Sequence, residues 1–288
     1  MASTAADGFS QFLTRLTPSQ SERDKAASHR QTIYDKLDSE FGLFRMFESG
    51  SFKHGTGVSG HSDVDYFVSL KSDRPVLSSS TLASVREALQ KRFPSTYIHA
   101  ARPAVVLGFG SGYERVEIIP AFAESKANGA DMRFRIPGVR SEWIWATPEA
   151  HLAYVNEVNK RADIKGGAKG LARLAKAWKY YRNVPISSFY LEMRAAAYMR
   201  AQKSVIYAYD LCFFLRSLDG LAAMNDPTGN AGRIEPCSSD ATLKDAQSKL
   251  TTAISRAEKA LEFYKAEKTA NAFEEWDLLF AGEFPAFY

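Results

Sequence analysis

Asp63 and Asp65 stand two residues apart in Ser62-Asp63-Val64-Asp65-Tyr66-Phe67, a stretch rich in strand-forming residues. On a strand, residues i and i+2 face the same way, so these two carboxylates lie side by side. Like charges so placed are unfavourable unless cations neutralise them. Magnesium, which takes oxygen ligands and combines one or two carboxylates with phosphates, is the natural counter-ion. Upstream runs Gly50-Ser51-Phe52-Lys53-His54-Gly55-Thr56. Without a Cβ, Gly50 lets a phosphate approach the main chain, and the Ser51 hydroxyl adds a donor. Lys53, Gly55 and Thr56 either shape the turn or touch phosphate. A turn that cradles a triphosphate, beside carboxylates that hold magnesium, is the equipment for moving a nucleotide. Each part alone also has an ordinary reading: a plain Gly-Ser turn, and a solvated strand face.

A third acid would complete a two-metal site. Glu117 is the candidate, because it lies in the apolar strand Arg115-Val116-Glu117-Ile118-Ile119-Pro120. Two metals about 3.5–4 Å apart can clamp the attacking and leaving oxygens of an in-line displacement. Glu117 would hold the metal that activates the attacking hydroxyl and accept its proton. The competing reading pairs it with Arg115 or Arg133.

Cations come from further along. At about 100° per residue, Lys169, Arg173 and Lys176 fall within about 60° of one another on a helical wheel. Leu171, Leu174, Ala175 and Trp178 fall opposite. The wheel suits either a basic phosphate-facing stripe or a solvated face. In Pro185-Ile186-Ser187-Ser188-Phe189-Tyr190-Leu191-Glu192, Ser187 or Ser188 caps a helix whose free amides suit a phosphate. Phe189 or Tyr190 stacks on a base or packs in the core.

These residues need an α+β first half to position them. Residues 8 to 48 read as helix, with Phe9, Phe12, Leu13 and Leu16 at helical spacing and a second run over Ser21 to Phe41, and within that stretch Phe44 to Glu48 reads as a short strand leading into the Gly-Ser turn. Asp63 to Leu70 is the neighbouring strand. A helix capped by Ser78-Ser79-Ser80-Thr81 runs to Phe93. Strands follow over Tyr97 to Ala101, Ala104 to Phe109, Arg115 to Phe122 and Met132 to Ile136, with Ser111-Gly112 as a turn. Trp143 to Thr147 leads to Pro148. Beyond it lie helices over His151 to Arg161, Gly166 to Arg182, Ser187 to Ala201, Val205 to Leu218 and Thr242 to Thr269, with a loop at 225–230. The expected division is 1–148, a catalytic core with N-terminal helices, and 149–288, a helical domain, with the site in the cleft between them.

Composition sets the class. The 288 residues are 45% hydrophobic and 24% charged, ordinary for a globular chain able to bury a large core. No apolar run reaches the roughly 18 residues of a membrane span. The N-terminus lacks a basic region and an apolar block, so a secretory signal is not expected. With only Cys212 and Cys237, at no metal-type spacing, a reducing, cytoplasmic setting is expected. A net charge of +4 requires no nucleic-acid partner.

Together the motifs resemble the bacterial cyclic-oligonucleotide synthases of anti-phage signalling, the CD-NTases of the polymerase-β-like superfamily. The resemblance rests on Gly50-Ser51 with Asp63-Val64-Asp65, on Val116-Glu117-Ile118-Ile119-Pro120-Ala121, on Leu174-Ala175-Lys176-Ala177-Trp178 and on Ile186 to Glu192. It extends to Asp226-Pro227-Thr228 and to the ending Trp276 to Pro285. It implies a polymerase-β-like core, a mixed sheet with helices, joined to an oligoadenylate-synthase-like helical domain. Asp63, Asp65 and Glu117 would be the metal triad, holding two Mg2+ ions that Mn2+ can replace. Gly50 and Ser51 would hold the donor triphosphate, Lys176 and Ser188 would contact its phosphates, and Phe189 would stack on a base. Many relatives have aspartate where Glu117 stands. The implied reaction joins ATP, GTP or both into a cyclic di- or trinucleotide and releases pyrophosphate. The chain would act as a monomer, away from membranes, and reach its effector through the product. The rival readings are a transferase with linear products or another acceptor, and a silent nucleotide-binding module.

Overall fold

Val64-Asp65-Tyr66-Phe67-Val68 and Val116-Glu117-Ile118-Ile119 are nearly continuous apolar runs, each interrupted by one acid. Such runs suit strands covered on both faces. In the computed structural model, which describes residues 2–61, 63–110, 114–126 and 132–288, they are the central strands of a mixed sheet. Its strands are β1 (Leu43–Ser49), β2 (Val64–Leu70), β3 (Tyr97–Ala101), β4 (Ala104–Phe109) and β5 (Glu114–Lys126), in the order β1-β2-β5-β4-β3. β2 and β5 run parallel, and the other pairs are antiparallel. The far end of β5 pairs with β6 (Met132–Pro137), which pairs with β7 (Trp143–Ala146).

Alternation decides what each face does. Tyr66 and Val68 of β2, with Val116 and Ile118 of β5, point down. There they pack with Ile33 and Leu37 of α3 (Arg30–Phe41) and with Leu82, Val85 and Leu89 of α5 (Ser78–Arg92). Asp65 and Glu117 belong to the opposite face. Beyond them on that face Phe67, Ile119, Ala121, Phe134 and Ile136 form a small apolar cluster.

The helices that follow are α6 (Pro148–Lys160), α7 (Gly167–Tyr181), α8 (Ser188–Arg200), α9 (Tyr207–Ser217), α10 (Asp240–Lys265) and α11 (Thr269–Leu279). Their core centres on Trp178, Tyr190, Phe214 and Trp276. The first helix, α1 (Ala5–Leu16), belongs to this core and not to the sheet. Its Phe9 ring lies 4.9 Å from Trp276, and its Phe12 ring lies 4.7 Å from Phe280. The helical half of the molecule therefore includes a segment from the start of the chain.

Several boundaries differ from the sequence reading, each for a local reason. The helical run after Ser21 breaks at Ser28-His29 into α2 (Gln20–Ala27) and α3. Ser78 does not cap α5. Its amide and hydroxyl donate to the distant Glu142 carboxylate, at 2.8 and 2.9 Å, so a tertiary contact performs the capping. The long last helix stops at Lys265, because Glu267 takes a positive φ of 59°, and α11 starts anew. The loop at 225–230 is the turn of a small hairpin, β8 (Met224–Asn225) and β9 (Arg233–Ile234). Ser62 and the expected turn at Ser111-Gly112 lie outside the described residues.

Phe12→Ala is expected to cost ~3–5 kcal/mol, as large-to-small changes in packed cores do. Tyr97→Ala, on a ring 73% exposed, should stay within about 0.5 kcal/mol. Urea unfolding of the two variants checks both values.

Candidate active site

The parallel pairing of β2 with β5 sets Asp65 directly opposite Glu117. Asp63 lies one residue before β2, at the same end of the sheet. The three acids named from sequence are thus brought together. Burial is the largest influence on Asp63. Glu117 adds to it while Arg115 and Lys179 oppose it, and the carboxyl is pushed up to about 7. Burial, then Glu117 and Asp63, raise Asp65 well above the usual carboxylate range.

Gly50 is required here on two grounds. Its φ is +63°, and a Cβ at this position would collide with the Asp65 carboxylate. The expected Gly-Ser turn is the start of a short helix, α4 (Gly50–His54), that leaves β1 directly. Ser51, half-buried, follows in its first turn.

The cations divide into two sets. One grips the loop behind α4. Arg173 donates from Nε to the Gly57 carbonyl at 2.9 Å and from Nη2 to the Gly55 carbonyl at 2.7 Å. Lys169 lies beside Gly55. Lys176, only 2% exposed, donates to Thr56 Oγ1 at 2.8 Å and to Glu192 Oε2 at 2.6 Å. His54 Nδ1 meets the other oxygen of the same carboxylate, and Thr56 Oγ1 donates to Glu192 Oε2 at 2.5 Å. Burial alone would raise Glu192, but Lys176 and His54 hold it well below its usual range. The stripe read from the helical wheel exists, yet these three side chains brace α4 and its loop from the helical side.

The second set faces the acids. Arg115 reaches Asp63 Oδ2 from Nε at 3.4 Å and Glu117 Oε1 from Nη2 at 2.7 Å. The pairing of Glu117 with Arg115 weighed from sequence is therefore present, in a site that also holds Asp63. Lys179 donates to Ser188 Oγ at 2.5 Å, and Tyr180 OH lies 3.3 Å from the same hydroxyl. Burial and the nearby Lys176 ammonium lower Lys179 to about 8, against the pull of Asp63 and Glu117. Sequence reasoning missed Lys179, which stands one turn after Lys176. Its spacing, three residues after Lys176, was the available signal.

Helix α8 sorts the Ser187 to Tyr190 alternatives. Ser187 is the cap and accepts from the Tyr190 amide at 3.2 Å, which leaves Ser188 to face Lys179. Tyr190 is fully buried and donates to the Ala222 carbonyl. Phe189 is 39% exposed and takes the His151 ring edge-on at 4.9 Å. His151 Nε2 is 2.9 Å from Asp226 Oδ1, and Asp226 also accepts from the amides of Thr228, Asn230 and Ala231. The Asp226-Pro227-Thr228 motif thus builds a turn that fixes the ring beside Phe189.

The acids suit a hard divalent cation. All the donors are oxygens, they crowd one end of two strands, and the positive charge nearby does not restore the normal acidity of Asp63 or Asp65. The side chains are not a closed cage: among the described residues no three His, Cys, Asp or Glu groups form a ready-made metal cluster. Arg115 instead spans Asp63 and Glu117. Among the described residues no helix is long and apolar enough to cross a membrane.

Comparison with known proteins agrees with this fold. E. coli MS115-1 CdnC, solved with ATP, superposes with a TM-score of 0.72 at 18% identity, over 97% of this chain and 98% of that one. Bradyrhizobium diazoefficiens CdnG, a CD-NTase solved with GTP, gives 0.71 at 12% identity, over 96% and 97%. Vibrio cholerae DncV, a cyclic AMP-GMP synthase solved with the linear intermediate pppA(3′,5′)pG, gives 0.64 at 15% identity, over 98% and 80%. These likenesses establish the fold, which is the α+β core with a helical half expected from the motifs. No curated protein sequence matches. The Second Messenger Oligonucleotide or Dinucleotide Synthetase (SMODS) domain matches residues 3–159 of the 288, the stretch that carries Gly50, Asp65 and Glu117, and the chain accordingly belongs to that family of nucleotidyltransferases, which make oligonucleotide second messengers.

Proposed function

We propose that this chain joins ribonucleoside triphosphates, ATP, GTP or both, into a cyclic di- or trinucleotide for anti-phage signalling. The observation that carries the proposal is the meeting of Asp63, Asp65 and Glu117 beside Gly50, opposite the basic side of α7. CdnC with ATP, CdnG with GTP and DncV with a linear intermediate are relatives that handle such nucleotides.

In this reading the turn at Gly50 and Ser51 receives the donor phosphates, because Gly50 leaves room for close main-chain approach. Asp63, Asp65 and Glu117 would hold two magnesium ions, which manganese could replace. When bound, the ions would favour ionisation of the attacking ribose hydroxyl and steady the charge on the leaving pyrophosphate. Glu117 accepts the proton of that hydroxyl. Arg115, which pairs with Asp63 and Glu117, would have to release these carboxylates for them to hold a metal. Phe189, held by His151, offers its exposed ring to a base. The linear product then turns around, and its free ribose hydroxyl attacks the α-phosphorus of its own 5′-triphosphate, closing the ring and releasing a further pyrophosphate. The protein acts as a monomer and reaches its effector through the product.

Incubation with labelled ribonucleotides and magnesium, followed by phosphatase, tests the reading. The expected result is a phosphatase-resistant product. Products with removable ends would replace cyclisation with linear transfer. Asp65→Asn is expected to lower kcat by roughly 10³-fold, equal to about 4 kcal/mol of lost transition-state stabilisation.

The raised Asp63 has a consequence for stability without metal. Its carboxyl moves from 3.8 to about 7, so between those values the folded chain keeps a proton that the unfolded chain has lost. The contribution of Asp63 therefore falls as pH rises through that window and stays unfavourable above it. Asp63→Asn cannot ionise. At pH 8 in a chelator it should melt about 2–6 °C above the parent, the equivalent of ~1–2 kcal/mol, and at pH 4 the two should coincide. Thermal melts at the two pH values check the sign.

A further inference from the structure

We infer that His61, stacked on Tyr180, is a positioning residue that fixes where Asp63 stands and so sets how tightly the acids hold a divalent cation. The inference rests on the proposed metal-dependent transfer and adds to it a residue that belongs to none of the motifs.

Strand register places Asp65 and Glu117, but Asp63 stands one residue ahead of β2, outside the ladder. Its place depends on the chain that arrives from α4. That chain is anchored in steps. Arg173 donates to the Gly55 and Gly57 carbonyls. The Ser59 amide donates to the Leu16 carbonyl at 2.8 Å, and the Ser59 hydroxyl and Gly60 amide donate to the Glu22 carboxylate at 3.0 and 2.9 Å. The His61 ring then lies 5.0 Å from that of Tyr180 with the planes 8° apart, and meets the Tyr181 ring edge-on at 5.6 Å. Among the described residues this is the last side-chain contact before Asp63, two residues on. Arg115 also reaches Asp63, but it would have to let go for a metal to bind, so it cannot hold the carboxylate in the loaded site. Two residues of chain span at most about 7 Å, whereas a metal–oxygen distance tolerates only about 0.2 Å. Without the stack, Asp63 would have far more play than ligation allows.

Tyr180 is a firm anchor. It belongs to α7, next to the buried Trp178, and its hydroxyl lies 3.3 Å from Ser188 Oγ at the start of α8. Burial raises that hydroxyl, and Asp63, Asp65 and Glu117 push it the same way, so the ring stands beside the acids. Rings at this separation attract one another beyond the area they bury. His61 itself is exposed, so its ring adds little to the core. What the stack supplies is position. It joins the chain just ahead of β2 to the helix that faces the acids.

The test is Mn2+ binding to the full chain without nucleotide, read from the paramagnetic resonance signal of the free ion. His61→Ala should weaken binding about threefold to tenfold, the worth of one aromatic pair. His61→Phe, which keeps a ring and removes both nitrogens, should recover most of the loss. In chelator, His61→Ala should melt with the parent. In the transfer assay its kcat should fall at low magnesium and return as magnesium is raised. Tyr180→Leu makes the same comparison from the other ring should His61→Ala fail to fold, and Tyr180→Phe should bind like the parent. Unchanged Mn2+ binding in His61→Ala overturns the inference. So does equal weakness of His61→Phe, which would assign the effect to a nitrogen, and so does a loss of kcat that magnesium does not recover. The control is Asp65→Asn. A parent that takes up no Mn2+, or no more than Asp65→Asn does, overturns the metal triad of the proposed function, and this inference with it.

Discussion

The contact between Asp65 and Glu117 is repulsive, and much of the molecule is arranged around it. Two parallel strands place the acids side by side, and partial burial thins the water that would screen them. Neither strand can shift its register to relieve the contact. A slip of one residue would turn Tyr66, Val68, Val116 and Ile118 out of the core beneath the sheet. Gly50 closes the remaining escape, because the backbone lies against the Asp65 carboxylate. The acids are therefore held in a strained electrostatic arrangement by apolar packing on the far face, a pattern typical of sites built for a ligand.

The counter-charges are kept at two distances for different purposes. Glu192 collects Lys176, His54 and Thr56 into one buried network, far enough from solvent that each member depends on the others. This network ties α4, from the sheet half, to α7 and α8, from the helical half. It fixes where the turn at Gly50 and Ser51 stands relative to the acids. Arg115 and Lys179 stand closer in and are less committed. Arg115 is half exposed on its strand, and Lys179 leans on a hydroxyl. The inner cations can change partners without opening the core, whereas the outer ones cannot.

Much of this was legible from residue types and spacing. Asp63, Asp65 and Glu117 announced themselves as acids in apolar strands, and the α+β division followed from periodicity. The illegible parts share a physical cause: they depend on contacts distant in sequence. No spacing rule says that Lys176 will face Glu192 and not solvent, because the wheel gives an angle and not a neighbour. Glu142 caps α5 from 64 residues away, so local capping residues misled. Helix α1 reads as part of the first half, yet Phe9 and Phe12 pack against Trp276 and Phe280 near the end of the chain.

The placement of α1 bears on how the site is supported. A sheet carrying uncompensated carboxylates contributes less stability at neutral pH than its apolar area would suggest. In the helical half the buried charges Glu192 and Asp226 are each satisfied by several partners. Its aromatic core is extended by α1 from the other end of the chain. The chain thus crosses between the halves at both ends of the catalytic core, after α1 and again before α6. With the Glu192 network as a third tie, the sheet is held against the helices at three places. A site held this way can keep its acids crowded without the halves drifting apart.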